Sequence, residues 1–221
     1  MLKPEASWLG RELEALELSR VSPLLNVGSS TRYFREVQQP WIDRALFAPL
    51  RRRGGRILHQ DLKADDGVDV VGSLTSPECL ARIAELAPRA VCCTNVLEHV
   101  EDPAGFAQRL AGMVPPGGVL LLSVPRAFPW HPDPIDTMFR PSVDELVALF
   151  PGMRARASAV VPCGRLLDLV AGDVPGAISR LLKPGRGAGT DAPRAPLHQW
   201  VWPWLVKPFE VTCVVLEQRS A

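Results

Sequence analysis

Short apolar runs alternate along the chain with longer segments in which apolar residues recur every three or four positions. The runs fall at Leu24 to Val27, Arg56 to Gln60, Val68 to Val71, Ala90 to Asn95 and Val119 to Val124, and their length predicts strands. Helices are predicted between them. Trp41 to Arg53 is bounded by Pro40 and Gly54; Pro77 to Leu86 follows Ser76, an N-cap with proline at the first helical position; Asp102-Pro103 repeats that signal before Ala104 to Met113. Near-continuous apolar strands separated by helices point to a parallel sheet covered on both faces. Met1 to Arg20 reads as an amphipathic helix, with Glu5, Arg11, Glu12, Glu14 and Glu17 among its apolar residues, and not as a signal peptide.

After the fifth run comes a proline-rich loop, 125–141, then a helix from Ser142 to Phe150. Arg154 to Val161 and Glu210 to Glu217 are two further strand candidates. An insertion of about 162–209 separates them, with an apolar segment at Leu166 to Val170 and a Gly/Pro/Ala tract at Lys183 to Pro196 that has little apolar surface to offset its ordering entropy. At 221 residues the chain is expected to form a single domain, 1–221, around one core.

Composition narrows the function by exclusion. There are 25 basic and 24 acidic residues, so nothing in the global charge favours a polyanion, and no nucleic-acid partner is expected. The one dense basic run, Arg51-Arg52-Arg53 with Arg56, reads as the solvated end of a helix. Five cysteines at 79, 92, 93, 163 and 213 have no Cys-x-x-Cys spacing, which suggests neither zinc nor a disulfide framework and fits a reducing cytoplasm. No apolar run reaches the ~18 residues of a spanning helix, and membrane association is not expected.

The candidate chemistry lies at the ends of the predicted strands. Gly28, in Leu25-Asn26-Val27-Gly28-Ser29-Ser30, allows a sharp turn and close approach of backbone to a ligand, although a strand-to-loop turn would need it equally. Asp61 directly follows the second strand, where a carboxylate can accept both hydroxyls of a ribose. Asn95 ends the fourth strand in the sequence Cys93-Thr94-Asn95-Val96-Leu97-Glu98-His99-Val100, and a Pro-Pro-Gly-Gly turn then leads into the fifth. A nicotinamide-binding domain would want two later glycines after Gly28, which the sequence Ser29-Ser30-Thr31-Arg32-Tyr33 lacks.

This series of motifs resembles the class I S-adenosylmethionine-dependent methyltransferases over roughly residues 20 to 150. It is most similar to the methyltransferase type 11-like branch, with its Asn-Val-Leu-Glu-His-Val strand end and a Val-Asp-Val-Val-Gly segment, here Val68 to Gly72. The resemblance implies a Rossmann-like, doubly wound α/β fold of seven strands, mostly parallel, closed by the C-terminal pair as an antiparallel hairpin. It also implies S-adenosyl-L-methionine as cofactor. Asn26, Val27, Gly28 and Ser29 would hold its methionine part, and Asp61 with Leu62 its ribose. Ser73 and Leu74 would flank the adenine, where the family often has Asp in place of Ser73; Asn95, Val96 and His99 would lie beside the methionine and the methyl donor. Glu98 either takes part or hydrogen bonds to backbone and holds the loop.

On the acceptor side, the loop Phe128-Pro129-Trp130-His131-Pro132-Asp133-Pro134-Ile135-Asp136 precedes Phe139-Arg140. Prolines stiffen it, which suits a loop holding side chains over a site. His131 is the first candidate for a general base or substrate anchor and His99 the second; Asp133 or Asp136 would orient His131, and Arg140 completes the expected substrate contacts. A rigid loop whose polar residues only cap the next helix is the alternative. No metal is expected from His131, Asp133 and Asp136, because no second histidine lies near in sequence. Trp200, Trp202 and Trp204 read first as core packing, and otherwise as a roof over the acceptor, a dimer contact or a membrane contact. The expected activity is O- or N-methylation of a small-molecule acceptor. Its rivals are a methyltransferase-fold scaffold without catalysis and an enzyme on a membrane-bound acceptor.

Overall fold

The structure is a computed structural model that describes residues 1–131, 135–165, 168, 203–204 and 206–219. Its elements run α1 (Lys3–Glu14), α2 (Leu18–Val21), β1 (Leu24–Val27), two π-helical turns at Phe34–Gln38 and Asp43–Phe47, α3 (Ala48–Arg52), β2 (Ile57–Asp61), β3 (Val70–Val71), α4 (Pro77–Leu86), β4 (Ala90–Thr94), a 3-10 turn at Leu97–His99, α5 (Pro103–Gly112), β5 (Val119–Ala127), α6 (Val143–Ala148), β6 (Met153–Pro162) and β7 (Glu210–Gln218). The seven strands form one sheet in the order β3-β2-β1-β4-β5-β7-β6. Strands β1 to β5 pair in parallel, while β7 runs antiparallel between β5 and β6. The fold is the expected α/β architecture, a mostly parallel doubly wound sheet with an antiparallel C-terminal pair.

Alternation along the strands explains why their sequences are apolar throughout. Leu25, Val27, Val91, Cys93, Leu120 and Leu122 face one layer, packed with α4, α5 and α6. Leu24, Ala90, Cys92, Val119 and Leu121 face the other, against α1 and the second π-helical turn. Both faces of every central strand are therefore removed from water, and the order of strands reverses between β1 and β4, where the ligand crevice of such sheets opens.

Local departures from expectation have local causes. The predicted helix Trp41 to Arg53 is helical from Trp41 but contains a π-helical turn, Asp43–Phe47, in which the amide of Ala48 reaches back five residues to the carbonyl of Asp43. Pro49 follows, has no N–H to offer, and crowds the turn before it, so the wider register absorbs it. Strand β5 extends past Val124 through Pro125 because β7 continues to pair along it, with a register shift between Pro125 and Ala127. In the basic run, Arg51 pairs with Asp43, and Arg53 donates to the carbonyls of Glu14 and Leu16 just beyond α1, so two of these arginines are engaged where solvated ends were expected. Glu5, placed by the sequence among the charged positions of an amphipathic helix, is fully buried.

The apolar segment Leu166 to Val170, apart from residue 168, and the tract Lys183 to Pro196 lie outside the described residues, as do Asp133, Trp200 and Trp202. Trp204 stacks on Phe209 with ring centroids 5.6 Å apart, and Phe209 meets Phe128 at 5.0 Å, which is the packing role expected of it. Among the described residues, no helix is long and apolar enough to cross a membrane.

Candidate active site

The carboxyl ends of β1, β2 and β4 meet at Gly28. Its φ of +66° is a conformation that side chains resist, and a Cβ there would stand 2.5 Å from Val96 Cγ2, so the turn after β1 and the turn after β4 touch only because this residue is glycine. The turn continues through Ser30, also at positive φ, whose amide donates to Asp61 Oδ2 at 2.7 Å. The other carboxylate oxygen of Asp61 accepts from the Lys63 amide at 3.2 Å. A carboxylate has about four acceptor positions, so Asp61 retains capacity for further donors at the mouth of the crevice.

A buried cation holds this turn in shape. Arg35 is only 3% exposed, and its guanidinium donates to the carbonyls of Ser29 and Ser30 and to that of Gly67, at 2.8 Å, in the loop joining β2 to β3. Burial pulls its pKa below the ordinary arginine value. Three carbonyls from two loops converge on one side chain, and that convergence fixes a turn poor in glycine. No sequence pattern announces it, since Arg35 sits in a polar stretch with no periodicity that marks it as buried.

Some expected cofactor residues have committed side chains. The amide of Asn26 bonds to His59 Nδ1 at 3.2 Å, beneath the sheet edge. Asn95, at φ +53°, donates to Glu5 Oε1 at 2.7 Å, and the Ser123 hydroxyl donates to the same oxygen at 2.6 Å. Helix α1 thus pins its first turn to the ends of β4 and β5 through one buried carboxylate. The hydroxyl of Ser73 bonds to Thr75 at 2.8 Å in a local turn; Leu74 is buried beside it, and Leu62 is exposed. Ser29 and Val27 are buried, and Val96 packs partly buried on the core.

On the acceptor side the fold brings together residues far apart in sequence. Asp136 has a fully buried side chain and is the hub: it accepts from Arg140 at 2.6 Å, from the His131 amide at 3.1 Å and from the Met138 amide at 2.8 Å, and it lies 3.2 Å from His131 Nδ1. Asp136 therefore anchors the backbone of His131 and stands beside its ring. Burial pushes the Asp136 carboxyl up, but Arg140 and the two amides outweigh it and leave its pKa below the ordinary value. Arg140 itself is largely enclosed, donating to Asp136 and to the Phe139 carbonyl.

The loop is strapped to the turn after β4. Thr137 donates its amide and its hydroxyl to the Glu98 carbonyl at 2.9 and 3.0 Å, and His99 Nδ1 meets the carbonyl of Ile135. The rings of His99 and His131 stand edge to face at 5.1 Å. Burial lowers the pKa of His131, so its imidazole is neutral at pH 7. Glu98 is fully buried, and among the described residues neither carboxylate oxygen has a hydrogen-bond partner; burial pushes its pKa up to about 8.

A family model described as "Methyltransferase domain" matches residues 13–158, two thirds of the chain. The chain belongs to the methyltransferase-domain family. It is an S-adenosylmethionine-dependent methyltransferase, the activity and cofactor that the strand-end motifs imply. Solved structures with the same fold include coclaurine N-methyltransferase bound to N-methylheliamine and SAH, 10% identical with a TM-score of 0.54, over 96% of this chain and 69% of that one. A methyltransferase from Anabaena variabilis is 11% identical with a TM-score of 0.52, over 96% and 82%. The 4+2 cyclase SpnF is 15% identical with a TM-score of 0.51, over 99% and 81%. No curated protein matches the chain in sequence.

The residues present fit the cofactor of this methyltransferase family. The glycine at 28 lets the turns after β1 and β4 close on each other at the end of the sheet, while Asp61 stands one strand away with unused acceptor positions. Both are main-chain or single-carboxylate features, the kind a nucleoside with an amino-acid tail requires.

Proposed function

We propose that this methyltransferase methylates an oxygen or nitrogen of a small-molecule acceptor, held beside His131. The observation that carries the reading is the arrangement of His131 against the enclosed Asp136 carboxylate. Its Nδ1 faces two acceptors, Asp136 Oδ2 at 3.2 Å and the Pro129 carbonyl at 3.3 Å, so Nδ1 carries the proton and Nε2 is left as the base.

Bound S-adenosylmethionine supplies a methyl carbon already activated by its sulfonium. The protein's work is alignment, exclusion of water and disposal of a proton. Gly28, Ser29 and Asp61 would hold the methionine and ribose parts, with Val96 and His99 alongside and Leu74 under the adenine. His131 Nε2 would take the proton that a hydroxyl loses as it is methylated, or the proton that an ammonium must give up before its nitrogen can attack, and Asp136 would steady the imidazolium formed. A carboxylate acceptor would need no base. Asn26, Asn95 and Ser73 act through backbone or by shaping the crevice, since their side chains already have partners.

We take the chain as a single domain that carries this chemistry. The near-neutral net charge supports a small acceptor over nucleic acid, and five free, buried cysteines support a reducing, cytoplasmic setting. Calorimetric titration with S-adenosylhomocysteine tests the cofactor half: Asp61→Ala is expected to weaken binding by roughly 10- to 100-fold, the loss of two charge-assisted hydrogen bonds. Unchanged affinity would remove Asp61 from the site.

A further inference from the structure

We infer that Glu98, His99 and His131 form a binding site for a divalent transition-metal cation, with zinc as the reference ion. One ligand atom from each residue lies within 4.8 Å of the others. The two histidines are 32 positions apart in sequence, and only the strap between the proline-rich loop and the turn after β4 brings their rings together.

Three features go beyond proximity. Both imidazoles are set in the tautomer a metal needs: His99 Nδ1 faces the Ile135 carbonyl and His131 Nδ1 faces Asp136 and the Pro129 carbonyl, leaving both Nε2 lone pairs free. A carboxylate or carbonyl behind each ligating histidine is the usual outer support of such sites. Next, Glu98 is a buried carboxylate whose two oxygens have no partner among the described residues, and its Oε1 lies 3.7 Å from His99 Nε2. Ligands at about 2.0–2.1 Å in a tetrahedron stand roughly 3.4 Å apart, so this pair is already near coordinating distance. Finally, two nitrogens and one carboxylate oxygen make a donor set that suits zinc and its neighbours over magnesium or calcium.

Exposure grades across the site, from Glu98 at 0% through His99 at 17% to His131 at 33% for the side chains, so the fourth position opens toward the acceptor side. With the ion bound, His131 Nε2 is a ligand and no longer the base, and an acceptor heteroatom in the fourth position would lose its proton more readily to solvent. That step rests on the acceptor reading above and replaces the imidazole base only in the metal-loaded protein, whereas the site itself rests on neither.

The test is direct. Chelator-stripped protein is titrated with zinc against a chromophoric competitor, and with cobalt(II) to read the coordination from its visible absorption. One equivalent is expected, weakened at least 100-fold by His131→Ala and by Glu98→Gln, and by about 10- to 100-fold by Asp136→Asn. Calorimetry with S-adenosylhomocysteine reports separately on the fold and on the cofactor site of each variant. His131 lies on a surface loop, so its variant remains informative if Glu98→Gln fails to fold. Absence of stoichiometric binding by the wild type, or binding indifferent to His131→Ala, would overturn the assignment.

Discussion

The two halves of the crevice are built from different materials. On the cofactor side, the ends of β1 and β2 are joined to their neighbours by parallel pairing, and the turn at Gly28 is held by the guanidinium of Arg35 on three carbonyls. On the acceptor side, a loop whose described residues from 135 to 141 lie outside the strands is held by side chains: Asp136 on Arg140 and His131, Thr137 on the Glu98 carbonyl. The first half is main chain fixed by the core, so its shape and the stability of the protein are one property. The second is a set of side chains on a strap, where residues can change without reworking the sheet.

The largest effect should come from removing the cation that fixes the first half. Arg35→Met takes the donor from the carbonyls of Ser29 and Gly67 and leaves that of Ser30 with the Ser29 hydroxyl alone, and each buried acceptor so orphaned costs roughly 1–3 kcal/mol. A loss of at least about 3 kcal/mol in urea unfolding is expected, together with at least tenfold weaker S-adenosylhomocysteine binding by the molecules that remain folded. A variant that loses stability and keeps full affinity would uncouple the turn from the cofactor and erase the contrast.

Asp136→Asn breaks the second half. The amide keeps an acceptor for Arg140 but loses the charge that balances it, and about 2 kcal/mol of stability should go. The expected signature is a large fall in turnover while cofactor affinity stays within about threefold, measured by calorimetry on the same preparation. Equal losses in both would mean that the strap also shapes the cofactor pocket.

Legibility in the sequence divides along the same line. The central strands could be read because both faces are buried, which makes Leu24 to Val27 and Val119 to Val124 mostly apolar, and Asp61 could be placed by following the shorter run Arg56 to Gln60 to its end. Arg35 and Glu5 could not. A charge in a polar or amphipathic stretch reads as solvated, and only the convergence of Ser29, Ser30 and Gly67 on one, and of Asn95 and Ser123 on the other, removes them from water. Asn26 and Asn95 were legible as positions but not as contacts, since side-chain direction depends on partners at His59 and Glu5. For the second half, the proline-stiffened loop pointed to His131 and Asp136, whereas the approach of His99 to His131 follows from a strap between segments that sequence alone does not bring together.

The smallest effect separates the halves by pH. His59 sits under the cofactor side, edge-on to Phe47 at 5.2 Å, with Asn26 on its Nδ1; burial, then the charges of Arg35, Arg51 and Arg32, lower its pKa from 6.5 to about 3. The unfolded chain takes up a proton below pH 6.5 that the folded protein refuses until near pH 3. Stability from this group is therefore present at neutral pH and lost as the pH falls through that window. The ring is not fully buried, so the loss between about pH 7 and pH 5 should be roughly 1 kcal/mol, below the value for a whole proton. His59→Gln keeps an acceptor for Asn26 and should flatten the difference in urea midpoint between those two pH values by that amount. Turnover, for which His131 in the other half is the proposed base, should keep its pH profile in the variant. A profile that moved with His59 would show that the acid sensitivity of the sheet edge reaches the acceptor loop, and the two halves would have to be treated as one.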